Sequence, residues 1–427
     1  MGDAFDAVVV GSGPAGCTAA ILLGRAGLRV ALLEAHRDIN HYKRLCTHSV
    51  RSSALPTLRR LGFAELFDGH RAIRTRDRNW TRYGWVGDVD DERLPGHGYN
   101  IPRRVMDPLL RRTAAAAPGV ELMLGTRLSE LTVDESGRVN GVVASIDNSP
   151  RRIGTRLVIG ADGSVSKVAK IANLPGKVSH NNRFCYFAEY HNVEMPSWCT
   201  TAMWFLNPDV AYVFRNHGGM TLLTAMPVKE RLGEFRRNPE AALLTTIQSL
   251  PDGPDVSKAE RVSNVIGTQD YPFVTRKRIV APGVALLGDA AMVGDPLWGT
   301  GCGWAFQSAE WLCDAVKEAL LEGSPRRIDA AARHYQWRHR RLVRLDQLVN
   351  IAFANRDDFN ALQHLLWAAA PHDRRVAEAM LAVGCRLRSP ATLVSPTVLL
   401  RATAAVLRHP PVRIRDAKNE EGERVTR

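Results

Sequence analysis

Six residues near the start of the chain, Gly11-Ser12-Gly13-Pro14-Ala15-Gly16, have the composition and spacing to hold a pyrophosphate. Gly11 permits the tight turn out of a strand, Gly13 lets backbone approach the phosphates, and Gly16 lets the following helix pack on the sheet. Pro14 and Ala15 fall at the first positions of that helix, where free N–H groups and a partial positive charge face an anion. Glu34 ends the next apolar run, with Ala35 behind it, at the distance where an acid accepts hydrogen bonds from ribose hydroxyls. Two later turns each put an aspartate after an apolar run: Val158-Ile159-Gly160-Ala161-Asp162-Gly163-x-x-Ser166 and Ala285-Leu286-Leu287-Gly288-Asp289-Ala290-Ala291. A carboxylate in such a position accepts from two hydroxyls at once and suits a polyol chain. No clear His or Glu constellation for acid–base catalysis accompanies these turns.

Such turns need a scaffold that brings distant segments together. An apolar run at Asp6–Val10, a helical stretch from Pro14 to about Arg25, Gly27, and a second strand at Arg29–Glu34 make a βαβ unit. Alternating strands are predicted from Val120 to Ile159, with a hairpin at Asp134-Glu135-Ser136-Gly137. Strand-like segments rich in aromatics around Phe187, Trp204 and Tyr212 fill Arg183–Ile279. A strand at Val284–Leu287 delivers Gly288-Asp289, a helix runs from about Gly301 to Glu322, and beyond Arg326 the pattern is helical to Pro410-Pro411. The fold class is α/β, and α+β over the whole chain. A Rossmann-like dinucleotide domain carries an inserted, mainly antiparallel β-sheet domain for substrate and a C-terminal helical region. The expected bounds are 1–75, 100–180 and 280–325 for the discontinuous first domain, and 76–99 and 181–279 for the inserted one. The helical region is 326–415, and 416–427 is a flexible polar tail.

With 427 residues the chain can bury a large core, and 45% hydrophobic against 24% charged residues exclude a disordered protein. No apolar run reaches the roughly 18 residues that span a bilayer, and no signal peptide precedes the first strand. A cytoplasmic protein without stable membrane insertion is expected. Seven scattered cysteines, with no Cys-x-x-Cys pair and no zinc-ligand spacing, read as free thiols in a reducing compartment, with no metal site. The net charge of +13 favours acidic partners. Its densest stretch, Arg333–Arg344, includes Arg338, Arg340 and Arg341. Tyr335, Trp337, Leu342 and Leu345 lie there at helical spacing, so the stretch reads as the solvated face of an amphipathic helix. No nucleic-acid motif accompanies it.

In order and separation, the glycine turn and the two aspartate turns resemble signatures of the flavoprotein monooxygenase superfamily of the p-hydroxybenzoate hydroxylase type. The resemblance covers most of residues 6 to about 320. It implies non-covalently bound FAD, with Asp289 of the Gly288-Asp289 turn on the ribityl chain and Asp162 holding the nucleotide-binding fold. It also implies that Arg103, in Ile101-Pro102-Arg103-Arg104-Val105-Met106-Asp107, lies by the FAD, or Arg104 if the register slips by one. Gly294-Asp295-Pro296-Leu297-Trp298-Gly299-Thr300-Gly301, followed by Ala305 and Ser308, looks like the geranylgeranyl-reductase and flavin-halogenase branch. Trp298 and Gly303 stand where simple aromatic hydroxylases carry other residues. By the resemblance, Pro296, Gly299, Thr300 and Gly301 reach the pyrimidine end of the flavin, where helix-start N–H groups stabilise negative charge on the reduced ring. Lys43-Arg44-Leu45-Cys46 is similar in part to a Lys-x-Cys-Gly segment of the reductase branch, with Thr47 in place of the glycine. Cys46 then either lines the active site or is a small buried side chain.

The Trp-x-Trp-x-Ile-Pro run of flavin halogenases does not occur. Its nearest analogue, Asp209–Arg215, keeps aromatics two apart, so Tyr212 and Phe214 point to one side of a strand. With Trp204 and Trp298 they are candidates for the wall of an apolar pocket, core packing being the other reading. Two reactions follow from the resemblance. In one, FAD reduced by NAD(P)H reacts with O₂ at C4a and passes oxygen to an apolar or aromatic secondary metabolite, free or bound to an acidic carrier protein, by hydroxylation or epoxidation. In the other, reduced FAD gives hydride to a carbon–carbon double bond. Oxygen transfer is preferred, because the superfamily performs it most widely and an electron-rich substrate needs no acid–base residue. Halogenation and a non-catalytic flavin protein rank below both. Ala169 stands where family members often carry arginine, with Lys167 and Lys170 close by, so a separate flavin reductase joins NAD(P)H as an expected electron source.

Overall fold

Parallel pairing organises the first sheet. Ala4–Val10 lies between Val30–Leu33 and Ser149–Gly160, with Val120–Met123 and Val284–Leu286 outside them, all in parallel. Parallel strands are covered on both faces, which is why Val8, Val9 and Val30–Leu33 are apolar without alternation and fully buried. The helix Pro14–Arg25 crosses between the first two strands and packs against the long helix Gly301–Glu322. The expected hairpin joins Thr126–Val133 to Val139–Ile146, and the Asp134 carboxylate closes its turn by accepting from the amides of Ser136 and Arg138. A computed structural model describes residues 4–87, 97–146, 149–197 and 199–411. The predicted tail, the end of the helical region and part of 76–99 lie outside the described residues.

The second sheet runs in the order Glu260–Arg261, Cys185–His191, Thr221–Met226, Val210–Arg215, Thr201–Phe205, Asp77–Thr81 and Gly84–Val86, with Ile266–Thr268 also pairing Cys185–His191. Its pairings are antiparallel except that Asp77–Thr81 runs parallel to Thr201–Phe205. Period-two alternation splits its side chains between two cores. Trp204, Ala211, Val213 and Leu223 face Phe235, Leu243 and Ile247 of the helices Leu232–Arg237 and Pro239–Gln248. Met203, Phe205, Tyr212, Phe214 and Met226 face Phe353, Phe359, Trp367 and Val376 of the C-terminal region. Trp204 and Tyr212 therefore stand on opposite faces, and the single aromatic wall drawn from them does not form.

Beyond residue 324 the chain is helical, over Pro325–Ala354, Ala361–Ala369, Arg374–Gly384 and Pro396–Arg408. These helices cover one face of the second sheet. Phe205 packs against both Trp298 and Trp367, at centroid distances of 5.3 and 5.4 Å. The basic stretch lies on the long helix Pro325–Ala354, as the spacing predicted, but its apolar residues are not equivalent. Tyr335 is fully buried and donates its hydroxyl to the Leu286 carbonyl at 2.8 Å, whereas Trp337 is 56% exposed and Leu342 and Leu345 are exposed too. Residues two apart on a helix point about 200° apart, so Tyr335 and Trp337 cannot share a face.

His339, on the same helix as Tyr335, is buried between that residue and Trp311 of the helix Gly301–Glu322. Burial, reinforced by the positive charge of Arg386, lowers its pKa from 6.5 to about 4. Between those two values the unfolded chain binds a proton that the folded chain refuses, so this contribution to stability is present above pH 6.5 and is lost as the pH falls. The group should cost about 2 kcal/mol of folding free energy on going from pH 7 to pH 5. Urea unfolding of the wild type and His339→Gln at both pH values tests this. The variant should lose less stability than the wild type over that interval, and equal losses would show that His339 is not the titrating group.

Candidate functional site

The glycine turn owes its shape to two missing side chains. A Cβ on Gly16 would lie 1.8 Å from the Gly11 carbonyl oxygen, and one on Gly11, at φ +99°, would lie 2.5 Å from the Ala161 carbonyl oxygen. Gly16 is thus required by the turn itself as well as by helix packing, and Gly11 by the contact with the second motif. Gly13 differs, since a Cβ there would meet nothing within 4 Å. It lines, with Pro14 and Ala15, a cavity of about 290 Å³. Glu34 sits behind the turn, buried, accepting from the Ser12 amide at 3.3 Å, the Ser12 hydroxyl, and the His36 amide at 2.9 Å. Burial by itself raises its pKa, but these hydrogen bonds and the nearby Arg111 charge outweigh that and hold the carboxyl below its ordinary value. Arg111 also donates to the Ser12 hydroxyl at 2.7 Å, a tie that no local pattern announced.

The cavity is where the three motifs meet. Ala161, Gly163 and Ser164 line it from the second motif, and Leu287, Gly288 and Asp289 from the third. Asp162 itself does not line it. Its two oxygens accept from the Ser166 hydroxyl at 2.6 Å and the Val168 amide at 3.0 Å, which fixes the turn that presents its neighbours. Ser308, on the helix Gly301–Glu322, accepts from the Gly288 amide at 3.0 Å and pins the third turn from the other side. The Lys43 ammonium donates to Asp289 at 3.1 Å, and the aspartate's negative charge holds that ammonium above its ordinary pKa. Of the two neighbouring arginines, Arg103 enters the cavity wall, buried and doubly bonded to Asp107 at 2.6 and 3.0 Å. Arg104 turns away to Glu189 at 2.6 Å.

Pro296, Gly299 and Gly301 line the cavity, while Thr300 lies buried beside them. Their segment is held from within by Asp295, whose side chain is 0% exposed. It accepts from Arg183 at 2.8 Å, from Asn181 at 3.3 Å and from the Leu297 amide at 2.8 Å. Removing either partner of so buried a charge pair costs about 3–5 kcal/mol, because the other charge is stranded.

Cys46 lines the cavity and is partly open rather than fully buried. The aromatic candidates are corrected: Trp204, Tyr212, Phe214 and Trp298 are absent from the wall. Tyr212 and Phe214 stack on each other at 5.4 Å in the core beneath the C-terminal helices, and Trp298 packs on Phe205 and Phe353. The wall is built instead from Leu45, Cys185, Phe187, Thr268, Tyr271 and Val293. The Tyr271 hydroxyl is buried without a hydrogen-bond partner, so it is available to a polar atom of a ligand. Thr268 ends the short strand Ile266–Thr268 and Tyr271 follows it, with no periodic signal in either, and sequence reasoning passed over both.

These residues fit an extended flavin dinucleotide. The open Gly13 and the helix start behind it offer N–H groups to a pyrophosphate, Asp289 offers acceptors to a polyol, and the cavity continues to an apolar wall. The comparisons with known proteins agree with that fit. A family model described as "FAD binding domain" matches residues 4–242. The chain is 27% identical over 329 residues to digeranylgeranylglycerophospholipid reductase 1 of Methanococcoides burtonii, covering 75% of this chain and 76% of that one. It is 29% identical over 357 residues to 6-methylpretetramide 4-monooxygenase of Streptomyces rimosus, covering 77% and 79%. Among solved structures, a myxobacterial chondrochloren halogenase superimposes with a TM-score of 0.71 at 20% identity, over 95% of this chain and 97% of that one.

The two glycines should fail in different ways. Gly16→Ala should lose more than about 3 kcal/mol of stability or not fold at all. Gly13→Ala should remain within about 0.5 kcal/mol of the wild type without cofactor while binding FAD at least about tenfold more weakly. Melting curves with and without FAD, together with flavin fluorescence quenching, measure both. A Gly13→Ala protein that binds FAD normally would remove this turn from the cofactor site.

Proposed function

The chain belongs to the FAD-binding family, and from that premise we propose that it is an FAD-dependent monooxygenase acting on an apolar or aromatic compound. Bound FAD supplies, once reduced, either an activated oxygen or a hydride. One observation carries the choice. Among the described residues the cavity wall contains no histidine or glutamate, and its two aspartates are each held by a cation, Asp289 by Lys43 and Asp295 by Arg183. No free carboxylate or imidazole therefore serves the substrate. Oxygen transfer to an electron-rich carbon needs none, and the protein's tasks reduce to orienting the substrate and excluding water. Leu45, Phe187 and Val293 supply the apolar surface, and the Tyr271 hydroxyl, kept protonated by burial, donates to a polar atom of the substrate.

A second reading is reduction of a carbon–carbon double bond. It is favoured by the reductase relative and by the protic groups Cys302 and Tyr271 in the same wall, since the second carbon must take up a proton. The electron donor is a separate question. Ala169 is buried and uncharged where family members often carry arginine, while Lys167 donates to the Leu128 carbonyl at 2.8 Å and Lys170 is exposed. A separate flavin reductase, or reduced flavin itself, is the donor we propose.

Isotopes separate the reactions. Chemically reduced holoprotein is given ¹⁸O₂ and a panel of aromatic and polyene compounds in deuterated buffer. Oxygen transfer yields a product carrying one ¹⁸O, whereas double-bond reduction yields a product enriched in deuterium and free of ¹⁸O. The second outcome would replace the monooxygenase reading with the reductase one. Rapid oxidation of NADH or NADPH by the pure protein would remove the need for a separate reductase.

A further inference from the structure

Arg51 is 4% exposed, and its guanidinium has three partners. Nε donates to the Trp298 carbonyl at 2.7 Å, one terminal nitrogen to the Asp77 carboxylate at 2.9 Å, and the other to the Met203 sulfur at 3.0 Å. Asp77 and Met203 belong to the second sheet, whereas Trp298 ends the turn Pro296–Trp298, whose first residue and the Gly299 behind it line the cavity. We propose that Arg51 is a positioning residue for the flavin. It fixes the turn that aims the start of the helix Gly301–Glu322 into the cavity, and so favours reduced over oxidised FAD. This rests on FAD binding in the cavity and not on oxygen transfer.

The Trp298–Gly299 peptide is a rigid plane held at both ends. Its carbonyl accepts from Arg51, and its N–H donates to the Pro296 carbonyl at 2.9 Å. Gly299 leaves that plane in the left-handed region, at φ +61°, where a Cβ would come 3.3 Å from the Arg51 Nε and 3.4 Å from the Ser49 Cβ. Only a residue without a side chain sits easily there. The next residue, Thr300, is the N-cap of the long helix, yet its hydroxyl makes no capping bond and is buried without a partner. Gly301 and Cys302 of the first turn line the cavity. The free N–H groups of that turn are therefore left to a ligand, with the positive end of a 22-residue helix behind them. Ser49 adds a buried hydroxyl without a partner in the same wall.

Reduced flavin carries negative charge that oxidised flavin lacks, so donors held in place before binding favour the reduced form. Arg51 contributes through the turn rather than through its own charge, because Asp77 neutralises that charge at 2.9 Å. A lysine at position 51 keeps the charge and can reach Asp77. Its single ammonium lacks the guanidinium fork that serves Asp77 and the Trp298 carbonyl together. A residue that merely joined the sheet to the loop would change stability and leave the balance between the two flavin states alone.

The test reduces the FAD-loaded wild type, Arg51→Lys and Gly299→Ala slowly without oxygen, beside a dye of known potential, and follows both absorbances. Arg51→Lys should bind reduced FAD at least about tenfold less favourably relative to oxidised FAD, which lowers the two-electron potential by about 30 mV. Gly299→Ala, which strains the same turn and leaves every charge in place, should lower it in the same direction. It carries the test alone if the lysine variant does not fold, as judged by its melting curve. A folded variant of either kind with the wild-type potential would overturn the proposal, whatever its loss of stability. Because the readout is a potential, product analysis with ¹⁸O₂ can fail while this result stands, and the reverse also holds.

Discussion

The carbonyl oxygen of Gly11 fills the space that any side chain at position 16 would need. This single exclusion lets the chain leave the first strand, reverse, and start a helix whose first N–H groups face the cavity. Gly11 meets in turn the backbone of Ala161, so the first turn is set against the second motif with no side chain between them. The third motif is drawn in from behind by the Ser308–Gly288 hydrogen bond. Three segments far apart in sequence thus share one cavity because backbone can touch backbone where side chains are absent.

Outside that cradle, the cavity owes its character to the second sheet and the helices that cover it. Alternation gives the sheet two apolar faces, and each has its own helical cover. The C-terminal helices are structural in this sense: they absorb Phe205, Tyr212, Phe214 and Trp298 and leave Phe187, Cys185 and Tyr271 as the residues a ligand meets. Burying an aromatic side chain of this kind stabilises the fold by about 2–3 kcal/mol, so rings that could have formed a binding wall are more stably placed in the core.

What the sequence disclosed follows the range of the interactions. The glycine turn, the two aspartate turns and the hairpin at Asp134 are local, each decided within a few residues by backbone geometry, and all were legible. So were the long helices, where the apolar period persists over many turns. The faces of Trp204, Tyr212 and Trp298 were not, because an aromatic residue on a strand looks the same whether a helix or a ligand covers it. The Lys43–Asp289 pair, the choice of Arg103 over Arg104, and the placement of Cys46 and Cys302 in one cavity wall depend on segments joined only by the fold. Tyr271 was missed because the loop that carries it has no period to betray it.

The buried pairing of Arg183 with Asp295 has a consequence for how such proteins diversify. The arginine sits at the start of the second sheet, and the aspartate sits in the loop that leads into the helix Gly301–Glu322. Neither charge has water to fall back on. A chimera that grafted the sheet of one relative onto the nucleotide lobe of another would strand one of them unless both residues travelled together. The two lobes are therefore interchangeable only as a matched set, and new substrate ranges are more readily reached by changing loops such as that of Tyr271 than by exchanging whole lobes.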